Sequence, residues 1–332
     1  MKIDVFCHIL TPEFNKRRLA AAPPSMGLEA RLKTMPAIIN LEERFRVMDM
    51  FDDYVQILTM ANPPVEVIAD PEEAAEMSRI ANDEMAELVT KYPDRFVGAV
   101  ACIPMNDPDA ALIEIDRAIN DLDLKGIQLF THVKGRPLDD PEFMPIFKKM
   151  AECDLPIWLH PGRNGKFSDY PAESESLYDI WHIFGWTYDS TAAMTRLVFA
   201  GLFDKYPTLK IITHHLGGLV PYTHGRILQG YNKVGKRSDA GRELLGKLKR
   251  HPYDYFKMFY ADTATNGSVA ALECGIDFFG VDRVLFGSDM PFDSEGGHVF
   301  VGDTIKTMED LEASGEDKGK IYEENIKRLI RV

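Results

Sequence analysis

The sequence predicts an α/β protein built as a (β/α)8 TIM barrel, and three observations carry that expectation. Eight short apolar stretches read as buried strands. Segments of helical period lie between most of them, the alternation that builds parallel sheets and barrels. No Gly-rich fingerprint follows the first strand, which removes the usual signature of a dinucleotide-binding sheet.

The strands are expected at residues 2–10, 54–60, 96–104, 126–132, 156–162, 210–216, 258–264 and 283–289. The last is the clearest. In RVLFGSDMPF, residues 283–292, the run Val284, Leu285, Phe286 has no polar alternation, as in a strand buried on both faces. Gly287, Ser288 and Asp289 end it, and Pro291 blocks a simple continuation. Helices are expected at 71–91, 107–121, 140–153, 190–205, 266–274 and 299–312. The first three begin with Asp followed by Pro, an N-cap and a first-turn residue in the order helices favour. Two pieces exceed an ideal barrel: residues 11–40, with Pro23, Pro24 and Gly27, and residues 163–189, with Trp181, Phe184, Trp186 and Tyr188. Both are expected as insertions over the barrel mouth. With no internal repeat, residues 1–332 read as one barrel domain.

Composition narrows the function. The chain has 332 residues, 45% of them hydrophobic, and a net charge of −14. That charge argues against nucleic acid or an anionic membrane surface as partner. An anionic small substrate stays allowed, because a metal ion or local arginines reverse the sign of a pocket. Cys7, Cys102, Cys153 and Cys274 show no CxxC spacing and read as reduced, mostly buried thiols. The stretch MKIDVFCHIL is too short and polar for a signal peptide, and no run reaches membrane-spanning length. A cytoplasmic location is expected.

The chemistry gathers at the strand ends. Strand one ends at His8, strand five at His160, strand six at His214 and His215, and strand eight at Asp289. Strands four and seven add Thr131-His132 and Asp262-Thr263. In a parallel barrel these termini form one ring, so residues far apart in sequence converge. Imidazoles with a carboxylate make a donor set for zinc, manganese or iron that leaves a position open for catalysis. A single histidine in an apolar strand is ordinarily a core residue. Several polar residues ending separate strands on one face form a functional pattern. His132 and His182 fit pocket lining and structure equally well, and His224, His251 and His298 read as surface.

These motifs, in this order, resemble the amidohydrolase-2 group of the amidohydrolase superfamily, whose members include decarboxylases of aminocarboxymuconate semialdehyde, gamma-resorcylate and 5-carboxyvanillate. The likeness covers residues 3–10, 44–60, 93–104, Lys125-Gly126 with GRPLDDP at 135–141, then 156–161, 193–207, 215–221 and 283–292. It implies a distorted (β/α)8 TIM barrel of the metal-dependent hydrolase type around one divalent metal ion, zinc or manganese. By this resemblance His8, His160 and Asp289 are metal ligands. His215, ahead of Leu216, Gly217 and Gly218, is the histidine beside the metal that assists proton transfer or orients metal-bound water. Arg226 matches an arginine that in some relatives reaches a neighbouring subunit's substrate carboxylate, which implies a homodimer or larger homo-oligomer. There is one departure. Relatives carry His-x-His or Glu-x-His at the end of strand one, and this chain has Phe6-Cys7-His8. Phenylalanine has no lone pair, and strand alternation turns Cys7 away from the face shared by Phe6 and His8. Three protein ligands remain, still a competent catalytic shell.

The implied activity is metal-dependent, non-oxidative decarboxylation of an aromatic or unsaturated carboxylic acid, such as a hydroxybenzoate or muconate-like acid. Phe6, Trp181, Phe184 and Trp186 are expected to give an apolar wall, and His215 or a protonated Asp289 the proton. The alternative is hydrolysis or hydration by metal-bound water. A third reading takes Phe6 as the mark of a decayed site in a binding barrel.

Overall fold

The computed structural model describes residues 1–21 and 34–331. All eight expected strands form: β1 Lys2–Ile9, β2 Tyr54–Met60, β3 Phe96–Ala99, β4 Ile127–Phe130, β5 Ile157–His160, β6 Ile211–Thr213, β7 Tyr260–Asp262 and β8 Val284–Leu285. They run parallel in two arcs, β1-β2-β3 and β4-β5-β6-β7-β8. Single parallel bridges, Ala101 with Ile127 and Cys7 with Met290, join the arcs at two seams. The ladder is therefore not continuous around the ring, and the barrel is distorted.

Side chains reinforce the seam beside the candidate site. Val5 N donates to Phe286 O at 2.9 Å and His8 N to Met290 O at 2.8 Å. Buried Asp4 accepts from Ser288 N at 3.0 Å and from the Ser288 hydroxyl. Asp4 also takes the Tyr54 hydroxyl at 2.7 Å, so a carboxyl that burial pushes upward is fully engaged.

Where the strands begin, the ring is filled with apolar side chains. Ile3, Val5, Ile57, Trp158, Ile212 and Leu285 form one cluster, closed by Ile326, Leu329 and Ile330 of helix Asn325–Ile330. Trp158 is fully buried, and its indole N–H finds Val5 O at 2.9 Å, which satisfies the one polar atom the ring carries. The carboxyl-terminal ends are left to the polar residues.

The Asp-Pro helix starts form as expected. Asp70 accepts from Glu73 N and Asp107 from Ala110 N, each at 3.0 Å. Two expected helices are divided. A 3-10 turn, Pro141–Phe143, precedes helix Met144–Cys153, where Pro145 marks a second start. Helices Gly185–Phe199 and Leu202–Lys205 are separated at Gly201, whose φ of 69° leaves the helical region.

Of the 11–40 insertion, residues 22–33 lie outside the described residues. Helix Pro12–Ala21 rests on helix Pro71–Lys91, where the Glu84 carboxylate accepts from Glu13 N at 2.9 Å and Phe14 N at 3.1 Å. Arg44, fully buried, ties the following segment to β1 at His8. It donates to Ala37 O at 3.1 Å, Gln56 Oε1 at 2.7 Å and His8 O. In the 163–189 insertion, Asp189 gathers both ends by accepting from Gly162 N and Arg163 N, each at 3.0 Å. All four cysteines are free, with Cys7 and Cys102 buried. Among the described residues no helix is long and apolar enough to cross a membrane.

Candidate metal centre and active site

β1, β5 and β6 and the turn after β8 deliver His8, His160, His214, His215 and Asp289 to one place. The ligand atoms of His8, His160 and His214 lie within 4.8 Å of one another, and so do those of His214, His215 and Asp289. Asp289 Oδ1 stands 3.3 Å from His8 Nε2 and 3.2 Å from His214 Nε2, while Oδ2 stands 3.4 Å from His215 Nε2.

Three of these imidazoles share one arrangement. His8 Nδ1 faces Met60 O at 3.2 Å, His160 Nδ1 faces Pro161 O at 2.7 Å, and His214 Nδ1 is bonded to Asp262 Oδ2. A carbonyl or carboxylate only accepts, so each Nδ1 carries the hydrogen and each Nε2 is left with its lone pair. All three Nε2 atoms are buried without a hydrogen-bond partner, as is Asp289 Oδ1. A buried orphan polar atom costs about 1–3 kcal/mol and is rare for that reason. Four that converge make a donor set for a divalent metal ion. Thiols take no part, since Cys7 Sγ turns to Tyr54 Oη at 3.6 Å.

His215 differs from the other three. Its Nε2 approaches Asp289 Oδ2 and its Nδ1 is the unpartnered atom. The backbone explains how two consecutive residues both reach the cluster. His214 is extended, with φ −72° and ψ 156°, while His215 and Leu216 both take φ 53°, in the left-handed region. The chain thus turns between the two rings and stacks them, with centroids 3.8 Å apart. Asp289 is also left-handed, with φ 68°. Such conformations are uncommon for residues with a Cβ and gather at functional sites. Gly218 completes the turn, where a Cβ would fall 2.2 Å from Thr187 O on the helix that carries Trp186.

The electrostatics favour positive charge between the carboxylates. Burial lowers the pKa of His8 and, with His8, His214 and His215 around it, drives that of His160 well below the usual range. Burial acts the same way on His214, but the carboxylates of Asp262 and Asp289 outweigh it and lift the group to about 9. Burial alone would raise Asp289, yet His214 and its neighbours hold it well below the usual carboxylate range. A proton and a metal ion compete for such a nitrogen.

Of the residues singled out from sequence, His8, His160, His215 and Asp289 come together. Phe6 lies flat on His214, with centroids 3.9 Å apart and planes at 12°. Trp186 stands 5.4 Å from His160 and 5.7 Å from His215, anchored by its indole N–H on Arg163 O at 2.8 Å. Trp181 packs behind Trp186 at 5.9 Å. Phe184 is 67% exposed, and Arg226 lies exposed on helix His224–Arg237. Among the described residues, no ring contact or ion pair joins either of them to the cluster.

Sequence reasoning placed His214 and Asp262 at strand ends but gave neither a role. Strict alternation allows only one of two adjacent residues to face the centre. The signal available was the Gly-Gly pair after His214-His215, which announces a turn there.

A family model described as amidohydrolase matches residues 3–332. The chain belongs to this amidohydrolase family. The gamma-resorcylate decarboxylase of Polaromonas sp. (strain JS666) is 33% identical over 307 residues, 88% of this chain and 87% of the relative. The 2-amino-3-carboxymuconate-6-semialdehyde decarboxylase of Dictyostelium discoideum is 28% identical over 269 residues, covering 80% and 70% of the two chains. Among solved structures, 5-carboxyvanillate decarboxylase from Novosphingobium aromaticivorans, complexed with manganese and 4-hydroxy-3-methoxy-5-nitrobenzoic acid, superposes with a TM-score of 0.85. It is 26% identical, and the match covers 100% of this chain and 96% of that one. This amidohydrolase thus shares its architecture with a metal-bound decarboxylase and carries a buried donor set suited to such an ion.

Proposed function

We propose that the protein is a metal-dependent, non-oxidative decarboxylase, a carboxy-lyase acting on a small aromatic or unsaturated carboxylic acid such as an ortho-hydroxybenzoate. The observation that carries this reading is the convergence of unpartnered imidazole Nε2 atoms and the Asp289 carboxylate at the ring's carboxyl end, beside a separately placed histidine.

His8, His160 and Asp289 hold the ion, and a donor set rich in imidazole favours zinc over manganese. When bound, a divalent cation supplies Lewis acidity toward the substrate's carboxylate or neighbouring hydroxyl. As the carbon–carbon bond breaks, its electron pair stays on the substrate carbon, carbon dioxide leaves and a proton takes the vacated position. His215 delivers that proton from Nδ1, the ring atom with no protein partner, while Asp289 Oδ2 steadies Nε2. Asp289, with its carboxyl held far below the usual range, is a poor proton store at neutral pH and leaves that role to His215. Trp186, backed by Trp181, and Phe6 on the opposite side of His214 keep the reacting carbon away from water, while exposed Phe184 stands apart from this wall.

In this reading the protein is a cytoplasmic homodimer or larger homo-oligomer. Free cysteines suit a reducing compartment. Exposed Arg226, near Tyr222, which is 82% exposed, is suited to meet a carboxylate in a partner's pocket.

Product analysis tests the proposal. Ortho-hydroxybenzoates and muconate-like acids are incubated with metal-loaded protein, and carbon dioxide and the organic product are measured. Carbon dioxide released in step with loss of the carboxylate supports it. Water added with the carboxylate retained would make the protein a hydratase or hydrolase of the same superfamily.

A further inference from the structure

We propose that His214 is a fourth protein ligand of the metal, positioned by Asp262, and that His215 lies outside the ligand shell. The inference rests on the metal-dependent reading and goes beyond its three ligands.

The distances argue for it. Bonds of about 2.0–2.1 Å to a zinc ion at near-tetrahedral angles put neighbouring ligand atoms about 3.3 Å apart, and zinc expands to five-coordinate to admit substrate beside four protein ligands. Asp289 Oδ1 is 3.3 Å from His8 Nε2 and 3.2 Å from His214 Nε2, so both edges have that length. His214 Nε2 and Asp289 Oδ1 are also buried and unpartnered, as two members of one shell would be.

The surroundings of His214 argue the same way. Ligating imidazoles hold a carboxylate or carbonyl on the other nitrogen, which fixes the tautomer and ring orientation. Asp262, fully buried, does this for His214 and is itself fixed by Leu216 N at 3.0 Å and Ala264 N at 3.2 Å. Phe6 at 3.9 Å and His215 at 3.8 Å stack on the imidazole, which leaves it little rotation about its long axis. Phe6, with no donor of its own, thus serves as the flat support of a ligand that arrives from β6. His215 is stacked on one side by His214 but has no acceptor behind its ring. Its Nδ1 is unpartnered, and its Nε2 faces the other carboxylate oxygen.

Two measurements on the full chain test the assignment. X-ray absorption on the zinc-loaded wild-type protein counts imidazoles in the metal shell, and competition with a chromogenic chelator gives zinc affinity for His214→Gln, Asp262→Asn, His215→Gln and His8→Gln. We expect three imidazoles in the wild type and two in His214→Gln. Zinc affinity should fall at least about 100-fold in His214→Gln and about 10–100-fold in Asp262→Asn, and stay within about threefold of wild type in His215→Gln. Two imidazoles in the wild type would overturn the assignment even if no variant folds. So would wild-type affinity in His214→Gln alongside loss in His8→Gln, an outcome that leaves metal dependence standing. A wild-type protein that binds no zinc at all would end both readings.

Discussion

His215 Nε2 stands 3.4 Å from Asp289 Oδ2, the carboxylate oxygen that His8 and His214 do not face. One oxygen of Asp289 looks toward the metal donors and the other toward the proposed acid. Loss of either residue should therefore be felt differently.

His215→Ala should leave metal content unchanged while kcat falls about 10²–10⁴-fold, the usual contribution of a positioned general acid. Elemental analysis of the purified variant, with steady-state rates, checks both halves.

Asp289→Ala should lose metal and turnover together. The variant leaves the imidazoles without the carboxylate that faces two of them at 3.2–3.3 Å. Zinc retained through dialysis at the wild-type level would remove Asp289 from the ligand set.

Stability should carry a pH signature away from the site. Glu66 is fully buried, and burial raises its pKa to about 7, against a partial opposing pull from its own backbone and from Lys134. A carboxyl raised in the folded state stabilises below its unfolded pKa, and that contribution is lost as pH rises through the folded value. The shift corresponds to about 3 kcal/mol. Glu66→Gln should therefore gain stability relative to wild type on going from pH 4.5 to pH 8, by an amount of that order. Chemical denaturation at the two pH values reads the difference. An equal difference at both would contradict the assignment.

Light scattering should show a homodimer or larger assembly, and Arg226→Ala should raise KM about tenfold or more with the assembly intact, the loss of a charged hydrogen bond. A fully active monomer would remove Arg226 from the site.

Much of this was legible in the sequence because strands buried on both faces leave unbroken apolar runs. Val284–Leu285, Ile211–Thr213 and Ile157–His160 all fall inside their expected ranges. The lengths were overestimated. Residues 283–289 read as one strand, but only Val284 and Leu285 pair with β7, since beyond them the chain leaves the ladder to aim Asp289 at φ 68°. The hairpin of His132–Val133 with Arg136–Pro137 was not foreseen, because two-residue strands have no period to read. His8, His160 and Asp289 were visible as polar residues closing apolar runs. The role proposed for His214 was not, because it depends on the left-handed turn at His215, a backbone feature that residue alternation does not encode.

The most direct test of decarboxylation by a metal centre uses an ortho-hydroxybenzoate labelled with carbon-13 in its carboxyl group. It is offered to zinc-loaded protein, to protein stripped by chelator, and to stripped protein with zinc restored. The account predicts labelled carbon dioxide and the matching phenol from the first and third samples, and none from the second. Equal release from stripped protein, or turnover that keeps the label in the organic product, would contradict it.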